Sequence, residues 1–376
     1  MDPLTLIVLT VIVGLFFDFA NGRSDSANAI ATVVSTRTLS PVAALIMASI
    51  LNFAGALTSV TVAKTVGRDI ITLTPSAPSI VIVLAAMVSA TAWVTWCTRL
   101  GLPVSSSHSL IGGLIGAAVF VNGWSVVKWA GVKWILIFLV ASPILGLIFG
   151  HIVIIAASWA ARRATPMKGK RVFGVLQLCS SSFMAFEHGK NDAQKVMGVI
   201  ALALYAGGRM PDVHSLADLR IPGWVMIACA CAMALGTGLG GWRVIHTLGT
   251  KLAKISTTEG FAAETAAGIV LEISASFGRP VSTTHTITGA IVGVGSAKGV
   301  HAVKWGVGKK IIYAWMFTLP VCFLLSGTLS WFAAKTSAIA MVAVVAAVTI
   351  ATFVIPALKN RARKNPAGSP AVPATP

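Results

Sequence analysis

The chain has 376 residues, 56% of them hydrophobic and only 11% charged, and its mean hydropathy is +0.85. A soluble domain of this size needs far more charge to cover its surface, so the composition describes one unit embedded in a lipid bilayer. The formal net charge of +18 is no nucleic-acid footprint, because the basic residues fall mostly in short connections between apolar runs and form no stripe with aromatics.

In chain order, apolar runs near the ~20 residues that span a bilayer occupy 4–17, 41–62, 80–98, 132–157, 222–239, 310–332 and 337–357. The first lacks a basic leader and a cleavage site, and reads as a retained span, not a signal peptide. Cys97, Cys179, Cys229, Cys231 and Cys322 are scattered through apolar segments without zinc or disulfide spacing, so packing is their expected role. Trp93, Trp96, Trp124, Trp129, Trp134 and Trp305 lie near predicted span ends, as in an interfacial belt.

The chain is written twice. Phe16-Phe17-Asp18-Phe19-Ala20-Asn21-Gly22-Arg23-Ser24-Asp25 recurs as Phe183-Met184-Ala185-Phe186-Glu187-His188-Gly189-Lys190-Asn191-Asp192, 167 residues later. Gly101-Leu102-Pro103-Val104-Ser105-Ser106-Ser107-His108-Ser109 recurs as Gly278-Arg279-Pro280-Val281-Ser282-Thr283-Thr284-His285-Thr286, 177 residues later. Val127-Lys128-Trp129 is echoed by Val303-Lys304-Trp305, and Pro143 by Pro320. About five membrane segments fit each half: 4–34, 41–62, 79–98, 101–121 and 132–160, then 172–205, 222–241, 256–277, 280–297 and 310–333. An odd number of crossings per half turns the second copy upside down, as in many secondary transporters.

The expected fold is therefore an all-α polytopic membrane protein, an inverted repeat with broken or re-entrant helices at the repeat interface. Its parts are a first repeat (1–160), a basic cytoplasmic loop (161–171), a second repeat (172–333), an extra transmembrane helix (334–357) and a basic disordered tail (358–376). With the N-terminus outside, most loop Lys and Arg fall inside.

The chemistry lies in the duplicated motifs. A charge at mid-bilayer costs about 2.5–3.5 kcal/mol even on lenient insertion scales, so Asp25 and Asp192 need a cation, a proton or a protein partner. Gly22 and Gly189 would let their helices break, exposing carbonyls to a cation and amides to an anion. Asn28, Asn191 and Gln194 can donate and accept nearby. The bland alternative is a buried ion pair of Asp192 with Lys195 or Lys190.

The hydroxyl triplets Ser105, Ser106, Ser107 and Ser282, Thr283, Thr284 follow Pro103 and Pro280, which suit a first helical position. Hydroxyls and unpaired amides at a helix start form a donor-rich pocket for a tetrahedral oxyanion. Backbone bonding or close helix packing is the ordinary role of such residues; the duplication and the adjoining His favour the pocket. His108 and His285 are candidates for a proton shuttle or a helix bridge. Among Glu259, Glu264 and Glu272, at least one is expected to serve cation coupling or to pair with a motif lysine; Glu264 and Glu272 lie near one helix face.

At these residues the sequence resembles the PiT family of inorganic phosphate transporters. Its Gly-x-Asn-Asp signature is matched by Gly189-Lys190-Asn191-Asp192, within a stretch from His188 to Gly198 similar to bacterial members. The first copy has Ser24 in place of Asn. The Pro-Val-Ser-Ser-Ser-His and Pro-Val-Ser-Thr-Thr-His elements also match, and the likeness covers about residues 4–333.

The resemblance implies import of inorganic phosphate, free or as a metal–phosphate complex, by H+ or Na+ symport through alternating access. It puts Asp25 and Asp192 beside the cation (as sodium ligands if sodium drives uptake) and the Ser/Thr elements against the substrate. Glu264 joins the Asp pair as the candidate coupling residue. No other cofactor and no enzymatic activity are expected, and the inner (plasma) membrane is the expected location. A sulfate permease of the same fold, an integral-membrane enzyme and a non-transporting sensor are the rival readings. Oligomeric state is left open, a homodimer among the alternatives.

Overall fold

The computed structural model describes residues 2–336; beyond Thr336 the expected extra helix and the tail lie outside the described residues. The described chain is nearly all helix: α1 (Pro3–Ser35), α2 (Pro41–Ala56), α3 (Thr61–Arg68), α4 (Ala77–Leu100), α5 (Ser106–Asn122), α6 (Trp129–Ala161), α7 (Pro166–Ala206), α8 (Gly223–Leu239), α9 (Trp242–His246, running into a π turn at Thr247–Lys251), α10 (Thr257–Ser276), α11 (Thr283–Ser296) and α12 (Trp305–Lys335). Four starts share one local logic. Asp2, Ser40, Ser76 and Thr165 cap the first turn through their side chains, and a proline follows within two residues, where its missing N–H costs nothing. Because α7 begins at Pro166, Lys168, Lys170 and Arg171 sit on its opening turns.

Among the described residues, α1, α4, α6 and α12 are each long and apolar enough to cross a membrane, and two bent pairs raise the number to six. These pairs are α2 with α3, bent by 70°, and α8 with α9 and its π turn, bent by 61°. The outer faces carry exposed apolar stripes, such as Val8, Ile12 and Phe16 on α1 and Val42, Ile46 and Ile50 on α2, as a lipid-facing surface requires. Helices α5 and α11 have 17 and 14 residues, or about 26 and 21 Å at 1.5 Å per residue. Both fall short of the ~30 Å hydrocarbon core.

Each of these short helices follows a reversal. Gly101 and Gly278 end α4 and α10 with φ of 72° and 64°, a left-handed conformation that glycine adopts without strain. The chain then runs extended to Ser105 and Ser282 before the next helix begins. Pro103 and Pro280 therefore lie in the extended approach, not at the first helical position. The breaks also fall elsewhere than at the motif glycines: α1 and α7 run unbroken through Gly22 and Gly189.

What those glycines provide is close approach. A methyl group on Gly22 would strike the Met233 carbonyl, and one on Gly189 the Asn52 carbonyl. Reciprocally, Gly55 sits on the Phe186 carbonyl and Gly236 on the Phe19 carbonyl. Thus α1 crosses α8 while α7 crosses α2, each at backbone contact. The pattern repeats at α5 and α12, where Gly112 and Gly116 meet Leu319 and Phe323, and at α11 and α6, where Gly289 and Gly293 meet Pro143 and Leu147. At each of these crossings a helix of the first sequence copy meets a helix of the second at backbone contact.

Candidate functional site

At the middle of the molecule α1 and α7 carry the two signature copies, and the starts of α5 and α11 meet them. Asp25 and Asp192 are 2% and 0% exposed. Asp25 Oδ2 accepts from Ser106 Oγ at 3.3 Å and from Thr284 Oγ1 at 3.2 Å. Asp192 Oδ2 accepts from Thr283 Oγ1 at 3.0 Å. Asn28 Nδ2 donates to Thr283 Oγ1 at 3.2 Å and to Thr284 Oγ1 at 3.0 Å. Residues from both sequence copies therefore build one polar centre.

The hydroxyl triplets divide their labour. Ser105 Oγ and Ser282 Oγ accept from the backbone N–H of His108 and His285, each at 3.2 Å, and so cap α5 and α11. The second and third hydroxyls of each triplet face the carboxylates, Asn28 or Lys195. Deeper along the same helices, the buried rings of His108 and His285 lie 4.9 Å apart, bridging α5 and α11.

Two residues that sequence reasoning did not assign to the site belong to it. The His188 ring has Nε2 3.3 Å from Asp192 Oδ2 and Nδ1 2.9 Å from Asn52 Oδ1. Its spacing of four from Asp192 on one helix was the available signal. Asp25, His188 and Asp192 offer ligand atoms that all lie within 4.8 Å of one another, a group able to hold a cation. Lys195 is the other: its Nζ donates to Asp192 Oδ1, to Ser107 Oγ at 2.6 Å and to the Val281 carbonyl at 2.7 Å. Among the described residues, Asn21 Oδ1, one turn before Asp25 on α1, is buried without a hydrogen-bond partner, as are Asn28 Oδ1 and Asn191 Oδ1. Such atoms are costly unless a ligand or water satisfies them.

Other candidates sit apart. Gln194 Oε1 accepts from the backbone N–H of Val62 and Ala63 at 2.8 and 3.2 Å, securing the start of α3. Asn191 Nδ2 donates to the carbonyls of Glu187 and Leu271. Glu264 is buried between α1, α7 and α10, accepting from Thr32 Oγ1 and, at 2.5 Å, from Ser180 Oγ. Thr32 lies seven residues beyond Asp25, or about 10 Å along the helix. Glu272 and Glu187 flank Lys190, and Glu259 closes a capping box with Ser256 and pairs with Lys298 at 2.7 Å.

Beside Arg23, a cavity of about 490 Å³ opens between α1, α4 and α9, lined by Arg23, Arg99 and Arg243 among others and, among the described residues, by no carboxylate.

The family model described as "Phosphate transporter family" matches residues 21–326. A Rhizobium meliloti protein named "Probable low-affinity inorganic phosphate transporter" is 44% identical over 332 residues, 88% of this chain and 96% of that one. A Bacillus subtilis protein of the same name is 39% identical over 331 residues, 88% of this chain and 97% of that one. Among solved structures, one titled "The sodium-dependent phosphate transporter" matches with a TM-score of 0.80 at 23% identity, covering 88% of this chain and all of that one. That last likeness shows the fold; the family match and the close relatives show the kinship, and with it a transport and not an enzymatic role. The chain is a multi-pass membrane protein that belongs to the phosphate transporter family.

Proposed function

We propose that the chain imports inorganic phosphate across the inner (plasma) membrane in symport with a cation, Na+ or H+. Two oppositely oriented halves, 1–160 and 172–333, would rock about the shared centre to give alternating access. The observation that carries this reading is the meeting of Asp25 and Asp192 with hydroxyls from the starts of α5 and α11.

In the mechanism we infer, a cation held by Asp25, Asp192 and His188 offsets the carboxylate charge that Lys195 does not already neutralise, a charge expensive to bury alone. With its repulsion reduced, phosphate binds among Ser106, Ser107, Thr283 and Thr284, with Asn28 adjoining. Ser105 and Ser282 shape the pocket by fixing the helix starts, and Gln194 acts by holding α3 against α7. Glu264 of α10, bonded to Thr32 two turns along α1 from Asp25, would couple the carboxylate centre to the α10 side.

The sodium dependence named for the structural neighbour supports sodium as the driving ion, and so do the oxygen-rich surroundings. Phosphate is favoured over sulfate because a protonated phosphate oxygen can donate to Asp25 or Asp192 and sulfate cannot. The relatives' names point the same way.

Proteoliposome uptake of labelled phosphate, with sodium and proton gradients imposed separately, tests this reading. Sodium-driven uptake that arsenate inhibits and sulfate does not is the expected result. Sulfate uptake without phosphate uptake overturns the substrate, and uptake indifferent to both gradients overturns symport. Competition between free phosphate and preformed metal–phosphate complexes identifies the form carried.

A further inference from the structure

The sequence copies place Lys195 where Asn28 stands, 167 residues earlier, and the structure lets the two positions be compared atom by atom. Around the first, Asp25 Oδ2 takes a hydrogen bond directly from Thr284 Oγ1. The matching pair in the other half is Asp192 and Ser107, and no direct bond between them is formed among the described residues. Instead the Lys195 ammonium sits between them, donating to Asp192 Oδ1 and to Ser107 Oγ, with the Val281 carbonyl as its third acceptor.

All three ammonium protons are thus spent on oxygens: a carboxylate, a hydroxyl and a backbone carbonyl. A sodium ion takes the same donor types. Lys195 is 3% exposed, and its Nζ pairs with a fully buried carboxylate. At the Asn28 position no charged side chain intervenes: Thr284 Oγ1 donates to Asp25 Oδ2 and accepts from Asn28 Nδ2, and among the described residues Asn28 Oδ1 is buried without a hydrogen-bond partner. One half of the centre thus carries an ammonium between its carboxylate and its hydroxyl, and the other has a neutral amide at the same place.

We propose that the Lys195 ammonium is a tethered cation occupying one of the two cation positions that the duplication creates. Each phosphate then crosses with one mobile cation fewer than it would with asparagine at this place. The inference rests on the symport reading. A fixed positive charge beside Asp192 leaves the remaining carboxylate charge at Asp25 for a single mobile ion to offset. It also keeps the Ser107 and Val281 side of the pocket ordered between transport cycles.

The test is the charge moved per phosphate, read from the reversal potential of uptake in proteoliposomes with whichever cation drives it. Lys195→Asn, which copies the residue of the other half, is expected to move one more positive charge per phosphate. Its cation dependence is expected to turn sigmoidal, with a Hill coefficient rising toward about two. Lys195→Arg keeps the wild-type stoichiometry even where its rate falls. Should Lys195→Asn fail to assemble, Asn28→Lys gives the converse, one charge fewer per phosphate. An active variant of either kind with unaltered charge per phosphate overturns the inference and leaves phosphate symport standing. A wild-type carrier that moves phosphate without regard to any cation gradient removes both.

Discussion

Asp25 Oδ2 accepts a hydrogen bond from Thr284 Oγ1 at 3.2 Å across 259 residues of sequence. The carboxylate belongs to the first copy of one motif and the hydroxyl to the second copy of another. A bond of this kind makes the centre sensitive to how the two halves sit, because moving one past the other exchanges its partners. It also explains why both motifs are duplicated: neither copy alone supplies a carboxylate with hydroxyls on two sides.

The two carboxylates differ in what they support. Asp192 holds Lys195 and touches His188, whereas among the described residues Asp25 is held by hydroxyls. Removing one partner of a buried ion pair costs about 3–5 kcal/mol because the other charge is stranded. Asp192→Asn is therefore expected to lower the melting temperature in detergent clearly more than Asp25→Asn, while both abolish cation-driven uptake. Full uptake by well-folded Asp25→Asn would remove that residue from coupling.

The hydroxyls separate by role. Ser105→Ala and Ser282→Ala each remove a helix cap, a loss of about 1 kcal/mol, and are expected to lower stability with modest change in phosphate affinity. Ser106→Ala and Thr283→Ala leave the caps intact and are expected to raise the KM for phosphate several-fold with melting nearly unchanged. Parallel melting curves and uptake kinetics on the four variants decide the matter. An opposite assignment would mean that the capping hydroxyls are the ones that reach the substrate.

The duplication, the hydroxyl–histidine motifs and the buried carboxylates were legible in the sequence, because each repeats at nearly constant spacing. The path of the backbone was not. Gly22 and Gly189 look like helix breakers in isolation, but their lack of a side chain is used for carbonyl contact with α8 and α2, a tertiary fact that no local pattern encodes. The bend between α2 and α3 falls at Leu57-Thr58-Ser59-Val60, which carries neither Pro nor Gly, so nothing punctuated the run 41–62. The matching bend after α8 falls at Gly240 and Gly241, where Gly240 has φ 67°, and there a signal existed. The pairing of Lys195 with Asp192 was one of the alternatives the sequence offered, but its two further oxygen partners were hidden, because they arrive from α5 and from the approach to α11.

Those crossings make small substitutions costly. Gly22→Ala, Gly189→Ala, Gly116→Ala and Gly293→Ala would each press a methyl group onto a backbone carbonyl of a neighbouring helix, and overpacking of this sort costs typically about 1–3 kcal/mol. Gly174→Ala, where a methyl group meets nothing within 4 Å, is the matched control. Folded yield by size-exclusion chromatography should fall for the first four and hold for the control. Equal yields across the set would show that the helices part without penalty.

The basic cavity makes a prediction separable from those about the centre. Arg23 and Arg243 line it with no acidic residue among the described lining residues, whereas the counterpart of Arg23 in the second copy, Lys190, is flanked by Glu187 and Glu272. The cavity beside Arg23 is therefore electropositive, whereas the surroundings of Lys190 are charge-balanced. A cavity lined by one sign of charge raises the local concentration of the opposite ion and speeds its capture, an effect that salt screens. Arg23→Gln and Arg243→Gln are expected to raise the half-saturating phosphate concentration several-fold from the cavity side, with little change in maximal rate or in charge moved per phosphate. The deficit should shrink as ionic strength rises, because screening weakens the wild-type advantage. Uptake measured from each face of oriented vesicles at low and high salt tests this. A loss of maximal rate independent of salt would assign Arg23 to the moving parts of the carrier and not to the capture of its substrate.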